Sequence, residues 1–219
     1  SLTPHSAMNR FALLPALLLA AAVAVAGFTG LDSSPPPPSS DTDPVAWSLD
    51  PAHSEVRFGI THLAISRVTG KFHDYDASVT MDPDDLSSLS VDATVRIESI
   101  DTGNEKRDDH LRSADFFDAS NHPEMRFVSN EITNVNGNTF QMKGDLMIRG
   151  TTKPVVFETE LLGTAVDNEG RQRAGFTAAT TINRKDFGLT WNRVTEAGGL
   201  VVGEDVDITL DIQTIRGDA

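Results

Sequence analysis

Ser88-Leu89-Ser90-Val91-Asp92-Ala93-Thr94-Val95-Arg96-Ile97-Glu98-Ser99 alternates without a break. Leu89, Val91, Ala93, Val95 and Ile97 face one way, and Ser90, Asp92, Thr94, Arg96 and Glu98 face the other. A period of two over this length predicts a strand with one dry face and one wet face. The pattern recurs along most of the chain. Val45, Trp47 and Leu49 open the series, followed on one face by Val56, Phe58, Ile60 and His62. Val68, Gly70 and Phe72 lead into Tyr75, Ala77, Val79 and Met81, a parity switch that predicts a bulge. Later strands centre on 125–132, 140–148, 155–161, 176–182 and 206–212. Asn136-Gly137 is a strong hairpin signal, and 167–170 and Ala197-Gly198-Gly199 read as further turns. Dry faces need a common interior, so these strands predict an all-β, antiparallel, meander-type barrel of about eight strands.

One stretch departs from this rule. Thr102 to Glu105 has the spacing of a capping box, and His110, Leu111, Ala114 and Phe117 then share a helical face. This predicts one short helix near a barrel end.

The chain has 219 residues, with 32 Asp and Glu against 18 Lys and Arg, a formal charge of -14. Such a surface repels phosphate backbones and anionic lipid heads, which argues against nucleic acid as a partner. Cysteine is absent, which excludes disulfides and thiolate chemistry.

Met8-Asn9-Arg10, the apolar run that follows and Ala24-Val25-Ala26 read as an export signal cut after Ala26. Residues 1–26 therefore comprise that signal and the extra residues before Met8, and a retained membrane anchor is the alternative. Residues 27–44, with four consecutive prolines, read as a stiff, disordered linker. The folded domain is expected over 45–216. Cleavage predicts a periplasmic or secreted protein without stable membrane insertion.

No catalytic residue is assigned. A Gly-x-Ser-x-Gly elbow and a His-Glu-x-x-His motif are both missing, and Asp108-Asp109-His110 reads as a solvated helix edge, so no metal is assigned either. The inward positions are more telling. Phe58, Ile60, Phe72, Val95, Phe127, Phe140, Phe157 and Phe176 recur on dry faces. Phe116 and Phe117 come from the helical stretch, and Phe187 and Trp191 from a late loop. Gly59, Gly70, Ala93, Gly144, Ala174 and Ala178 leave room between them. These side chains predict a long apolar tunnel that holds an elongated guest. Polar partners for its head would be His62, Arg67, His110, Arg184 and Asp186, although Arg184 could pair with Asp186 as plain surface structure.

Several motif-like blocks stand in order along the chain. They are Phe58-Gly59-Ile60-Thr61-His62-Leu63 and Val68-Thr69-Gly70-Lys71-Phe72, then the run from Arg107 through Asp108-Asp109-His110-Leu111 to Asp118. Gly144-Asp145-Leu146-Met147-Ile148-Arg149-Gly150-Thr151-Thr152-Lys153-Pro154 and Asn183-Arg184-Lys185-Asp186-Phe187-Gly188 follow. Together these blocks resemble the YceI-like family of lipocalin-like barrels. The resemblance implies an extended eight-stranded barrel that binds a long isoprenoid chain, such as a polyprenyl phosphate or a quinone tail, with no cofactor besides that lipid. It does not imply catalysis. Two rivals remain at this point: an exported enzyme using His62, His110 and nearby acids, and a filled barrel with a partner-binding exterior. Self-association into a homodimer stays open.

Overall fold

A computed structural model of the chain describes residues 44–194 and 201–217. The signal segment, the linker up to residue 43 and the Ala197-Gly198-Gly199 turn lie outside them. Among the described residues, no helix is long and apolar enough to cross a membrane.

The strands are β1 Val45–Leu49, β2 Glu55–His62, β3 Ser66–Phe72, β4 Tyr75–Asp82, β5 Asp85–Arg96 and β6 Ile100–Asp101. After helix α1, Glu105–Arg112, come β7 Glu124–Asn136, β8 Thr139–Ile148, β9 Thr151–Val166, β10 Gln172–Asn183 and β11 Val202–Arg216. Eight of them close a ring in the order β1-β4-β5-β7-β8-β9-β10-β11, with β1 pairing back onto β11. All of these pairings are antiparallel. The expected barrel is thus the one the chain builds.

β11 spans 15 residues, long enough to hold two partners on one edge. Thr214, Ile215 and Arg216 pair with β1, while β2 pairs with β11 from Asp211 to Val202. β3 and β6 then extend the sheet beyond β2. The switch of parity after Phe72 is not a bulge. β3 ends there, His73 and Asp74 turn the chain, and β4 starts afresh beside β1 and β5. The inward Phe72 and Tyr75 stand an odd three positions apart because they belong to different strands. The Asn136-Gly137 hairpin forms, with Asn136 opposite Thr139 and Gly137 at φ +60°.

α1 begins later and ends earlier than the capping-box spacing and the helical face out to Phe117 suggest. Asn104 caps it, its side chain accepting from the Arg107 N–H at 3.1 Å. Thr102 instead donates its hydroxyl and its N–H to Asp108, which is only 6% exposed and so is no solvated helix edge. Helix geometry stops at Arg112, and Ala114 and Phe117 belong to the turns beyond.

The barrel end away from α1 is packed solid by Trp47, Met81, Phe140, Leu161 and Ala174, all buried. The Trp47 indole N–H donates to the Met81 carbonyl at 3.1 Å, which satisfies the one polar atom this ring brings inside.

Candidate binding bore

Above that plug the barrel is hollow. A far cavity of about 170 Å³ lies nearer the plug, and a near cavity of about 300 Å³ lies under α1. Val56, Met125, Ile148 and Ile208 line both cavities, so the two meet at a neck formed by these four side chains.

The far cavity is lined by Val95, Phe127, Phe157 and Phe176 among aliphatic side chains. Its few polar groups are turned onto backbone. The Tyr75 hydroxyl donates to the Ser54 carbonyl at 2.5 Å, Thr159 to Phe157 at 3.3 Å and Thr214 to Ala174 at 3.4 Å. Asp76 and Arg126 border it from the exposed face, where Arg126 pairs with Asp92. This half of the bore presents no inward charge.

The near cavity is an aromatic chamber. Phe58, Ile60 and Phe72 come from β2 and β3, Phe116 and Phe117 from the turns after α1, and Phe187 and Trp191 from the segment after β10. Phe58 and Phe72 sit 5.6 Å apart between centroids, and Phe72 meets Phe117 edge-on at 6.4 Å. His110 stands edge-on to both Phe116 and Trp191, at 5.0 and 4.7 Å. α1 contributes Arg107, His110 and Leu111, the spacing that places three side chains on one helical face.

Three basic side chains frame this chamber. Arg184 is 4% exposed and opens a one-turn 3-10 helix, Arg184–Phe187, capped by Asn183 and closed by Gly188 at φ +78°. Its guanidinium donates to the carbonyls of Leu189, Trp191 (2.9 Å) and Gly203 (2.7 Å), tying the chain after β10 to the start of β11. Burial pulls its pKa down from the ordinary arginine value, and only the field of Glu204 pushes back. Arg107 donates to the Thr102 hydroxyl and carbonyl at 2.7 and 2.8 Å. His110 Nε2 lies 3.0 Å from a carboxylate oxygen of the exposed Asp115. His62 ends β2 at the same chamber, and its ring makes no hydrogen bond among the described residues.

The structure therefore gathers most residues singled out in the sequence, with three exceptions. Phe140, 2% exposed, belongs to the plug and touches neither cavity. Arg67 alternates with the inward Val68, so it stands on the outer wall and pairs with Asp207 at 2.5 Å. Asp186 is exposed outside both cavities, and Arg184 turns to backbone carbonyls rather than to it. The glycines also play another part than expected. A Cβ at Gly70 would lie 2.5 Å from the Phe58 ring, and one at Gly144 would lie 2.5 Å from Phe127. They seat the aromatic rings against the wall and do not widen the bore, whereas Ala93 and Ala178 do border the far cavity. Met125 reads from the sequence as an inward residue though not as part of a neck, and sequence reasoning missed the cation Arg107, although Arg107 precedes His110 by three positions on a helix.

A UPF0312 protein of Staphylococcus epidermidis is 40% identical to this chain over 161 residues, covering 73% of this chain and 91% of the relative. Among solved structures, the Campylobacter jejuni YCEI protein superposes with a TM-score of 0.64 at 30% identity, covering 72% of this chain and 90% of that one. A polyisoprenoid binding domain from Saccharophagus degradans shares the fold at a TM-score of 0.59 and 15% identity, over 79% of this chain and 99% of that one. The model of the YceI-like domain matches residues 47–214, which run from the Trp47 plug through the neck and the chamber to Thr214. With the barrel, the hollow interior and the ordered motifs in agreement, the chain belongs to the YceI-like family.

Proposed function

We propose that this protein is a non-enzymatic carrier or sequestering protein for a long-chain isoprenoid lipid of the polyprenyl phosphate or quinone type. The observation that carries the reading is the pair of apolar cavities that adjoin across Val56, Met125, Ile148 and Ile208, a dry interior laid out for a chain-shaped guest. Each buried CH₂ contributes about 0.8 kcal/mol, so one isoprene unit contributes roughly 4 kcal/mol. Against an association cost in the range of about 4–15 kcal/mol, a guest of about four units reaches micromolar affinity without any charged contact. The isoprenoid domain that shares the fold supports the same class of guest.

The signal-like segment before the barrel supports export, so the proposed place of action is the periplasm or the cell exterior. An acid-base enzyme is the second reading, favoured by the His110–Asp115 pair. Asp115 is exposed, however, and does not line the chamber. Solvent extraction of protein purified from bacterial cells, followed by mass spectrometry, tests the carrier reading. Recovery of a prenyl lipid near one per chain supports it. Absence of any lipid, together with failure of the stripped protein to take up geranylgeranyl compounds, overturns it.

A further inference from the structure

Four titratable side chains turn toward the near cavity, and every one is a base: His62, Arg107, His110 and Arg184. A fifth basic residue at its border, Arg57, stands on the exposed face and pairs with Glu55 and Asp211. Among the described residues no Asp or Glu lines this chamber, in a chain whose acids outnumber its Lys and Arg by 32 to 18. The outer wall follows the opposite rule. Arg67, Arg96 and Arg126 each meet a carboxylate there. Arg107 and Arg184 meet none within 4.0 Å among the described residues, and their guanidinium groups donate only to neutral oxygens.

A cation withdrawn from water and faced only by neutral acceptors keeps part of its desolvation cost. An arriving anion relieves that cost. A neutral quinone ring or alcohol does not. Arg184 is also held in place by carbonyls from two chain segments, so its charge is fixed before any guest arrives, which lowers the ordering cost of binding. The far cavity complements this arrangement, because it carries no inward charge and suits the tail alone.

We infer that the head of the guest is an anion of the phosphate or carboxylate class, held among His62, Arg107, His110 and Arg184, with its tail running past Met125 into the far cavity. This rests on the carrier reading and deepens it by choosing between charged and neutral heads.

The test compares guests with identical tails on stripped, full-length protein, using Trp191 fluorescence as the reporter because that ring lines the chamber. The probes are geranylgeranyl phosphate against geranylgeraniol, and palmitate against hexadecanol. The expected result is that the phosphate binds about tenfold or more tightly than its alcohol. A parallel preference for palmitate shows that the site reads charge, and a preference confined to the phosphate shows that it reads phosphate. Arg107→Gln is expected to bring the ratio down to about threefold or less by weakening the phosphate far more than geranylgeraniol. A ratio unaffected by this variant overturns the placement of the head beside Arg107. Equal binding of phosphate and alcohol overturns the anionic assignment and leaves the carrier reading standing. Failure of all four guests, on protein that unfolds cooperatively on heating, overturns both.

Discussion

The Phe127 ring occupies the space over Gly144, so a Cβ built on that glycine would lie 2.5 Å from two of its ring carbons. The Val128 carbonyl closes the same space from the backbone side. Phe127 in turn stands edge-on to Phe157 at 5.2 Å, and both rings wall the far cavity. Gly144→Ala therefore has no inexpensive relaxation and is expected to cost about 1–3 kcal/mol. For a domain of this size that lowers the melting temperature by roughly 2–12 °C. Circular dichroism melts check the stability. A titration with geranylgeranyl phosphate checks the accompanying loss of tail affinity, since the displaced ring moves into the tail's space.

Met125 is one of the four residues that line both cavities, and it is the most adaptable of them. Met125→Trp is expected to fill the neck. A ten-carbon prenyl phosphate, which fits in the near cavity, should bind within a few-fold of wild type. A twenty-carbon one loses the burial of its distal units and should weaken by more than about hundredfold. Equal weakening of the two chain lengths would count against a path through the neck.

The β2–β3 hairpin turns through Leu63 and Ala64, both left-handed at φ +51° and +58°. Neither residue adopts this conformation without strain, about 1–2 kcal/mol for an L-residue. Ala64→Gly removes that strain at its position and returns part of the gain as greater freedom of the unfolded chain. The net expectation is a stabilisation of about 0.5 kcal/mol, visible as a rise of roughly 1–2 °C in melting temperature. The exposed Ile65 beside it, 86% accessible, is untouched by the change.

The alternation at 88–99 was readable because β5 has one dry face and one wet face, and the same rule exposed most of the barrel wall. Position along the barrel axis was not readable. Phe140 and Phe127 share inward parity, yet one plugs the far end and the other borders a cavity, because depth depends on how strands stagger. The double pairing of β11 with β1 and β2 is likewise set by tertiary register and leaves no local trace. Arg67 is a different case. Its alternation with Val68 already placed it outside, and the basic residue that belongs to the chamber is Arg107, one helical turn from His110. Side-chain spacing on α1 carried that signal.

Arg173 links two carboxylates near the plugged end, pairing with Asp50 and with Asp167, the latter at 2.9 Å. The Arg173 guanidinium is the main cause that holds the Asp50 carboxyl below its usual range, with His53 and the Ala52 N–H assisting against the effect of burial. For Asp167 burial opposes ionisation, but the Arg171 and Glu169 N–H groups and both guanidinium groups outweigh it and drive the pKa far down. Folded carboxyls with depressed pKa values bind protons less readily than the same groups in the unfolded chain. Their stabilisation is complete above the unfolded value of about 3.9 and is lost as pH falls through the folded values. Melting temperature should therefore stay level from pH 7 to about 5 and fall steeply below about pH 4. Arg173→Met removes the partner of both acids. It should lower the melting temperature at pH 7 and flatten the acid-side fall, because Asp50 and Asp167 then titrate closer to their unfolded values. A variant with the wild-type acid profile would show that other depressed carboxyls, Asp92, Asp101 and Asp207 among them, dominate the response.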